Sequence, residues 1–263
     1  MITLTSGQLE GWIAEIFWPF IRIGACFMVA PAFGAAFVPA RLRIALAAAV
    51  ALLVAPLVAV PSGITPFSTA GVIVTVQQVL IGIALGFALQ LLFDAVSLGG
   101  QLLANSMGLS FAFNVDPLRG TSTPALGQFY TLLVMLTFLA LDGHLALIEM
   151  LVQGFRTLPI GATGFDHAKL WTVVAWGSQL FAGALSVALP GVTALLIVHL
   201  AFGVMSRAAP TLNLFAVGFP VTLVCGLAIV LLGLPGVQAS FITLLRDGFD
   251  LLRGLSSVAV SHG

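Results

Sequence analysis

Charge is what this chain has least of. Aspartate, glutamate, lysine and arginine make up 7% of the 263 residues, against about 25% in soluble domains. That deficit excludes a water-soluble globule. Nine acidic and nine basic residues cancel, so no field is available to hold nucleic acid or another polyanion. Lysine is nearly absent: Lys169, in Ala168-Lys169-Leu170, is the sole one, which rules out a GxxxxGK[ST] phosphate loop and any P-loop ATPase. His144, His167, His199 and His262 are scattered without HExxH or paired-ligand spacing, and His199, alone in an apolar stretch, is expected to be a satisfied interior histidine. Gly-x-Ser-x-Gly does not occur. Cys26 and Cys225 lie apart in apolar segments and read as small buried hydrophobes rather than a disulfide or metal site. The opening residues carry no basic n-region, so a cleaved signal peptide is not expected. No enzyme chemistry, cofactor or metal is expected.

Hydrophobic residues, by contrast, fill 60% of the chain, at a mean hydropathy of +1.18. Fifty residues from Ile44 to Phe93 pass without a charge, and a spanning helix needs about 20 apolar residues. The expected fold class is all-α: a polytopic integral membrane protein, one membrane-associated unit over 1–263. Six apolar segments can be marked, about 12–38, 42–60, 68–93, 124–141, 170–206 and 212–234. The fifth, with Pro190 inside it, is long enough to be two helices. Small and polar residues fill Asp94 to Thr123, and 142–169 holds five of the eighteen charges. A short helix is expected near the end, where Arg246, Asp250 and Arg253 are spaced to pair. With single crossings, Arg41, Arg43, Arg119 and Arg207 face Arg156, Lys169, Arg246 and Arg253 across the membrane, a tie that gives no orientation. Pro19, Pro31, Pro56, Pro190 and Pro220 lie in or beside apolar runs. Broken helices at membrane depth must be buried in protein or face water.

Three groups of residues stand out. Gln78, Gly82, Gly86, Gln90 and Asp94 recur every four positions, an inclined row suited to close, hydrogen-bonded helix packing within the chain or against another subunit. Next, Met107, Gly108, Phe111, Phe113, Asp116 and Pro117 lie in a stretch where small residues alternate with Met and Phe and Asp-Pro marks a turn. Such a loop can seal a channel by excluding water, or simply connect two helices. Finally, Arg207 is the one Asp, Glu, Lys or Arg between Leu170 and Leu245, and it opens a run containing Pro210, Asn213, Gly218 and Pro220. An intramembrane arginine marks function or a strong partner. Arg207-Ala-Ala-Pro210 also reads as a helix ending, a hinge or inter-subunit anchor, with direct pore contact as the other reading.

Several of these runs resemble the FliR family of flagellar export proteins. They are Met107-Gly-Leu-Ser-Phe-Ala-Phe-Asn-Val-Asp116-Pro117, Phe138-Leu-Ala-Leu-Asp142-Gly143-His144-Leu145, Phe155-Arg-Thr-Leu158-Pro159-Ile160-Gly161 and Arg207 to Pro220. Arg22-Ile-Gly-Ala, Pro31-Ala-Phe-Gly34 and Pro39-Ala-Arg41-Leu-Arg43 fit the same pattern. The resemblance implies a subunit of the type III export gate in the flagellar basal body, in the bacterial inner membrane. It implies assembly with FliP and FliQ into a helical channel that passes unfolded rod, hook and filament proteins, with FlhB and FlhA as further partners. It also implies that the loop from Met107 to Asp116 is a plug beneath the closed pore. Injectisome homologues are the nearest alternative; they tend to carry a lysine just after the proline matching Pro220, where this chain has Val221-Thr222-Leu223. Two readings of other classes are a small-molecule secondary transporter with a midplane site and a structural nucleus for other subunits.

Overall fold

A chain with so little charge can satisfy its backbone at membrane depth only through internal hydrogen bonds, which a helix supplies residue by residue. The computed structural model describes residues 6–34, 38–61, 64–109, 125–161, 167–208 and 214–256. Every regular element among them is a helix: α1 (Ser6–Val29), α2 (Ala40–Val54), α3 (Thr69–Ser106), α4 (Ala125–Ala140), α5 (Gly143–Thr157), α6 (His167–Trp176), α7 (Ser178–Ala208) and α8 (Leu214–Ser256). The all-α, polytopic reading holds. Five stretches are long and apolar enough to cross a membrane, and α4 with α5, bent by 65° at their break, makes a sixth.

Local chemistry sets the ends. Pro31, which cannot donate to the helix ladder, and left-handed Ala32 (φ 68°) stop α1 at Val29, short of the 38 expected. Pro39 precedes α2, and Pro56 draws its exit into a 3-10 turn. At the start of α3 the Ser68 hydroxyl accepts from the Gly71 N–H at 3.0 Å, an N-cap bond. Asp142, left-handed at φ 55°, turns α4 into α5.

The boundaries differ from the sequence expectation at three places. α3 runs on through Asp94 to Ser106, because that stretch is small and polar but contains no proline. The expected short terminal helix is the end of the 43-residue α8, which carries Pro220 and Pro235 inside it. The long fifth segment has a one-residue break at Gly177, between the ten-residue α6 and α7, but Ala168–Ala208 remains one stretch of spanning length, with Pro190 inside α7. A proline deep in an apolar helix leaves one carbonyl to be satisfied by its surroundings. At about 1.5 Å per residue, α3 (38 residues) and α8 each exceed the full thickness of a bilayer, about 40–45 Å.

The residues group into two compact units. Unit 1 comprises Met1–Gln90, Phe138–Gly177 and Asp247–Gly263. Its core includes Trp18, Ile23, Phe27, Leu89, Phe138, Leu147 and Leu151, all buried. Unit 2 comprises Leu91–Thr137 and Ser178–Arg246. Its core includes Leu92, Met107, Val134, Leu195 and the edge-to-face pair Phe93 and Phe241, whose ring centroids lie 5.2 Å apart. Large apolar side chains remain exposed on both, among them Met28, Leu53, Ile197, Leu231 and Leu232, as expected of surfaces that meet lipid or protein rather than water.

Candidate functional site

The Gln78 row forms the seam between α3 and α1 in unit 1. Trp18 Nε1 donates to Thr75 Oγ1 (3.2 Å), and Arg22 Nε donates to Gln78 Oε1 (2.7 Å). A Cβ on Gly82 would run into the Arg22 carbonyl and Ala25; one on Gly86 would lie 2.7 Å from the Cys26 carbonyl. These contacts advance in step along both helices, so α1 and α3 run parallel. Gln90 is half-buried further along α3 and Asp94 is exposed. Three of the five row members therefore meet one neighbouring helix of the same chain.

Arg22 is the centre of this seam, and it is fully buried. Besides Gln78, its guanidinium donates through Nη1 to the Gly154 carbonyl (3.2 Å) and through Nη2 to the Leu158 carbonyl (2.9 Å). The Phe155 ring lies below it, 4.2 Å from its central carbon. Gly154 and Leu158 end α5, so the cation sits on the negative end of the α5 dipole and caps its carbonyls. The charge is thus met by a side-chain amide, two backbone dipoles and an aromatic face. One arginine ties α1, α3 and α5 together. Sequence reading passed over this role. The signal was there: Arg22 stands in a long apolar segment, and Gln78 is a polar residue in another.

Unit 2 holds the root of the expected plug. Met107 is buried, and a Cβ on Gly226 of α8 would lie 2.6 Å from its Cγ and Cε, so the glycine makes the notch that the methionine fills. Gly108, left-handed at φ 78°, follows, and its N–H bonds to the Asn105 carbonyl at 3.0 Å. This is a glycine C-cap that ends α3. Phe111, Phe113, Asp116 and Pro117 lie outside the described residues.

Arg207 is exposed in the last turn of α7, at the negative end of that helix. Pro210 and Asn213 lie outside the described residues. Gly218 and Pro220 belong to α8, half-buried and exposed respectively. His199 is a correction: it is exposed on α7, not interior, because its face of that long helix meets no other part of its unit. His144, next to the Asp142 turn, buries an Nδ1 without a hydrogen-bond partner. Among the described residues no three His, Cys, Asp or Glu side chains are grouped to hold a metal.

The family described as bacterial export proteins, family 1, matches residues 13–248. The chain is 40% identical over 253 residues to a flagellar biosynthetic protein FliR of Pectobacterium carotovorum subsp. carotovorum, covering 96% of each chain. It is 38% identical over 258 residues to the protein of that name from Escherichia coli K12, covering 98% of each. A Bacillus subtilis FliR is 29% identical over 204 residues, 76% of this chain and 78% of that one.

Proposed function

The chain belongs to the bacterial export proteins of family 1, the family of the flagellar biosynthetic proteins FliR, and from that membership we propose that it is a gate subunit of the flagellar protein-export channel. That it is a membrane-embedded component of flagellar export follows from the family and from its long apolar helices. The finer reading places it in the bacterial inner membrane, at the flagellar basal body. There it assembles with FliP and FliQ, adjoins FlhB and FlhA, and passes unfolded rod, hook and filament proteins. End-to-end similarity to proteins named for flagellar biosynthesis, on helices of spanning length, carries this proposal.

The channel must admit an extended chain yet hold ions back at rest. A loop bearing Phe111 and Phe113 closes such a path by apolar contact and yields without breaking an ionic lock, while Met107, buried in the Gly226 notch, anchors its root. Met107 and Gly108 fix where that loop leaves α3. Without a nucleotide loop in this chain, the energy for transport comes from partner proteins and the proton gradient. Deleting residues 108–112 is expected to raise ion conductance of the membrane while a complex with FliP and FliQ still purifies intact. Unchanged conductance in the intact complex would refute the plug. Failure of the full chain to purify with FliP and FliQ would refute the gate assignment itself.

A further inference from the structure

Within unit 2, α7 and α8 enclose a pocket of about 390 Å³ that Leu103 of α3 and Tyr130 of α4 also line. It is open where glycines stand in place of side chains, at Gly233 and Gly236 of α8, and no atom lies within 4 Å of a Cβ added at either. Its lining residues fall within 186–191 and 229–240, at the middle of the apolar stretches Ala168–Ala208 and Gly218–Leu255. The pocket therefore lies deep in the spanning region, away from lipid headgroups. It is also one helical turn from the Met107 notch, since Leu103 precedes Met107 on α3 and Ile229 follows Gly226 on α8 by about a turn.

The polar groups of this pocket are not matched within the chain. Tyr130 is only 2% exposed, with its ring pressed on Gly100, yet no hydrogen bond joins its hydroxyl to any described residue. The half-buried Ser240 hydroxyl is likewise unbonded among the described residues. Pro190, in the same wall, lacks the N–H that would bond the Ser186 carbonyl, and the Ser186 hydroxyl donates to the Gly183 carbonyl at 2.8 Å. Two hydroxyls and one carbonyl thus line a space that is otherwise apolar. An acyl tail offers them nothing, and polar groups at this depth require a partner that both donates and accepts. Water fits: it occupies about 30 Å³ per molecule in the liquid and is held by two to four polar partners, conditions that this volume and these three groups meet.

We propose that this pocket binds a small cluster of ordered water, held by the Tyr130 and Ser240 hydroxyls and the Ser186 carbonyl, at mid-depth in the spanning region. The proline break in α7 is then satisfied by water rather than by a neighbouring helix. A lipid tail seated here would leave the Tyr130 hydroxyl unbonded. A polar side chain of another subunit would bond it only in the assembled complex.

Tyr130 is the sole tyrosine of the chain, so the tyrosine Raman doublet of the full chain in lipid nanodiscs reports this one hydroxyl. It should show a phenol that both gives and accepts hydrogen bonds. Brief X-ray radiolysis in oxygen-18 water, read by mass spectrometry, should place heavy oxygen on Tyr130 despite its burial. Gly233→Leu, which fills the pocket from a position that meets no atom, should shift the doublet to the unbonded pattern and lose the heavy-oxygen label. An unbonded phenol in the wild-type chain would overturn the assignment, as a lipid tail predicts. A bonded phenol without label would overturn it too, because the partner would not be water. Bonding that appears only after FliP and FliQ are added, with this chain's tyrosine deuterium-labelled, would give the site to a partner side chain. The wild-type measurements decide the question even where Gly233→Leu impairs folding.

Discussion

Among the described residues, units 1 and 2 share close glycine contacts but differ in the directed bonds that accompany them. In unit 1 the joints are directed: Trp18 to Thr75, Arg22 to Gln78, Gly154 and Leu158, Lys169 to the Leu255 carbonyl, and Trp176 to the Ala88 carbonyl. In unit 2 the hydroxyls of Ser106, Thr131, Ser186, Thr222 and Thr243 turn back to carbonyls three or four residues earlier on their own helices. Helices there close on glycine: Gly99 on Val187, Gly183 on Leu244, Gly191 on Leu103, Gly226 on Met107. Lipid is as apolar as leucine, so helices in a membrane associate through tight packing or interhelical polar contacts. The α1–α3 seam of unit 1 uses both, since Gly82 and Gly86 also admit α1 closely. A directed joint fixes one register, because each acceptor tolerates one donor position. A glycine notch only requires that the neighbour approach closely.

The contrast is sharpest at the two arginines. Arg22→Met should destabilise unit 1 by about 3 kcal/mol or more, since the buried Gln78 and Leu158 acceptors lose their donor and the end of α5 its cap. Arg207→Ala, at an exposed helix end, should change fold stability by less than about 0.5 kcal/mol and show instead in the yield of complex with FliP and FliQ. Unfolding of both variants in detergent measures the difference, and equal effects would erase the distinction. Next in size, Gly82→Ala should cost about 1–3 kcal/mol, because backbone of α1 stands where the methyl would go. Gly233→Ala should be neutral or slightly stabilising, since no atom lies within 4 Å of the new methyl. Gly108→Ala places a Cβ in a left-handed residue and should cost about 1 kcal/mol, seen as earlier fraying of the end of α3 by hydrogen exchange. The smallest effect concerns a polar contact of unit 1 that is not buried. Asp250 and Arg253 pair at 3.1 Å with both side chains 70% exposed; Asp250→Asn should shift stability by under about 0.5 kcal/mol, and not at all in high salt.

Much of the architecture was legible from composition. A charge-poor chain with long apolar runs has little choice but spanning helices, and the row from Gln78 to Gly86 was visible as a packing surface. Boundaries were legible where proline or a left-handed residue imposes them, as at Pro31, Pro39 and Asp142. They were not where polarity alone suggested an end: Asp94 and the small residues after it are compatible with a helix, and α3 continues through them. Arg207 drew attention because it is isolated in sequence, yet it is exposed. Arg22 carries the greater structural role, and its acceptors are mainly backbone carbonyls at the end of α5. No side-chain pattern announces a carbonyl, so that junction becomes visible only once helices are placed. Met107 was legible as part of a distinctive loop, but not as the filling of a notch at Gly226.

The Arg22 joint also has an order in time. Its amide partner lies 56 residues further along the chain and its carbonyl partners 132 and 136 residues further. During synthesis α1 therefore enters the membrane with an unmatched cation, a penalty of about 2.5–3.5 kcal/mol on insertion scales. Gln78 relieves part of it when α3 arrives, and the rest waits for α5. The first helix made is among the last to be locked, and the ribosome must be well past the middle of the chain before the lock can close.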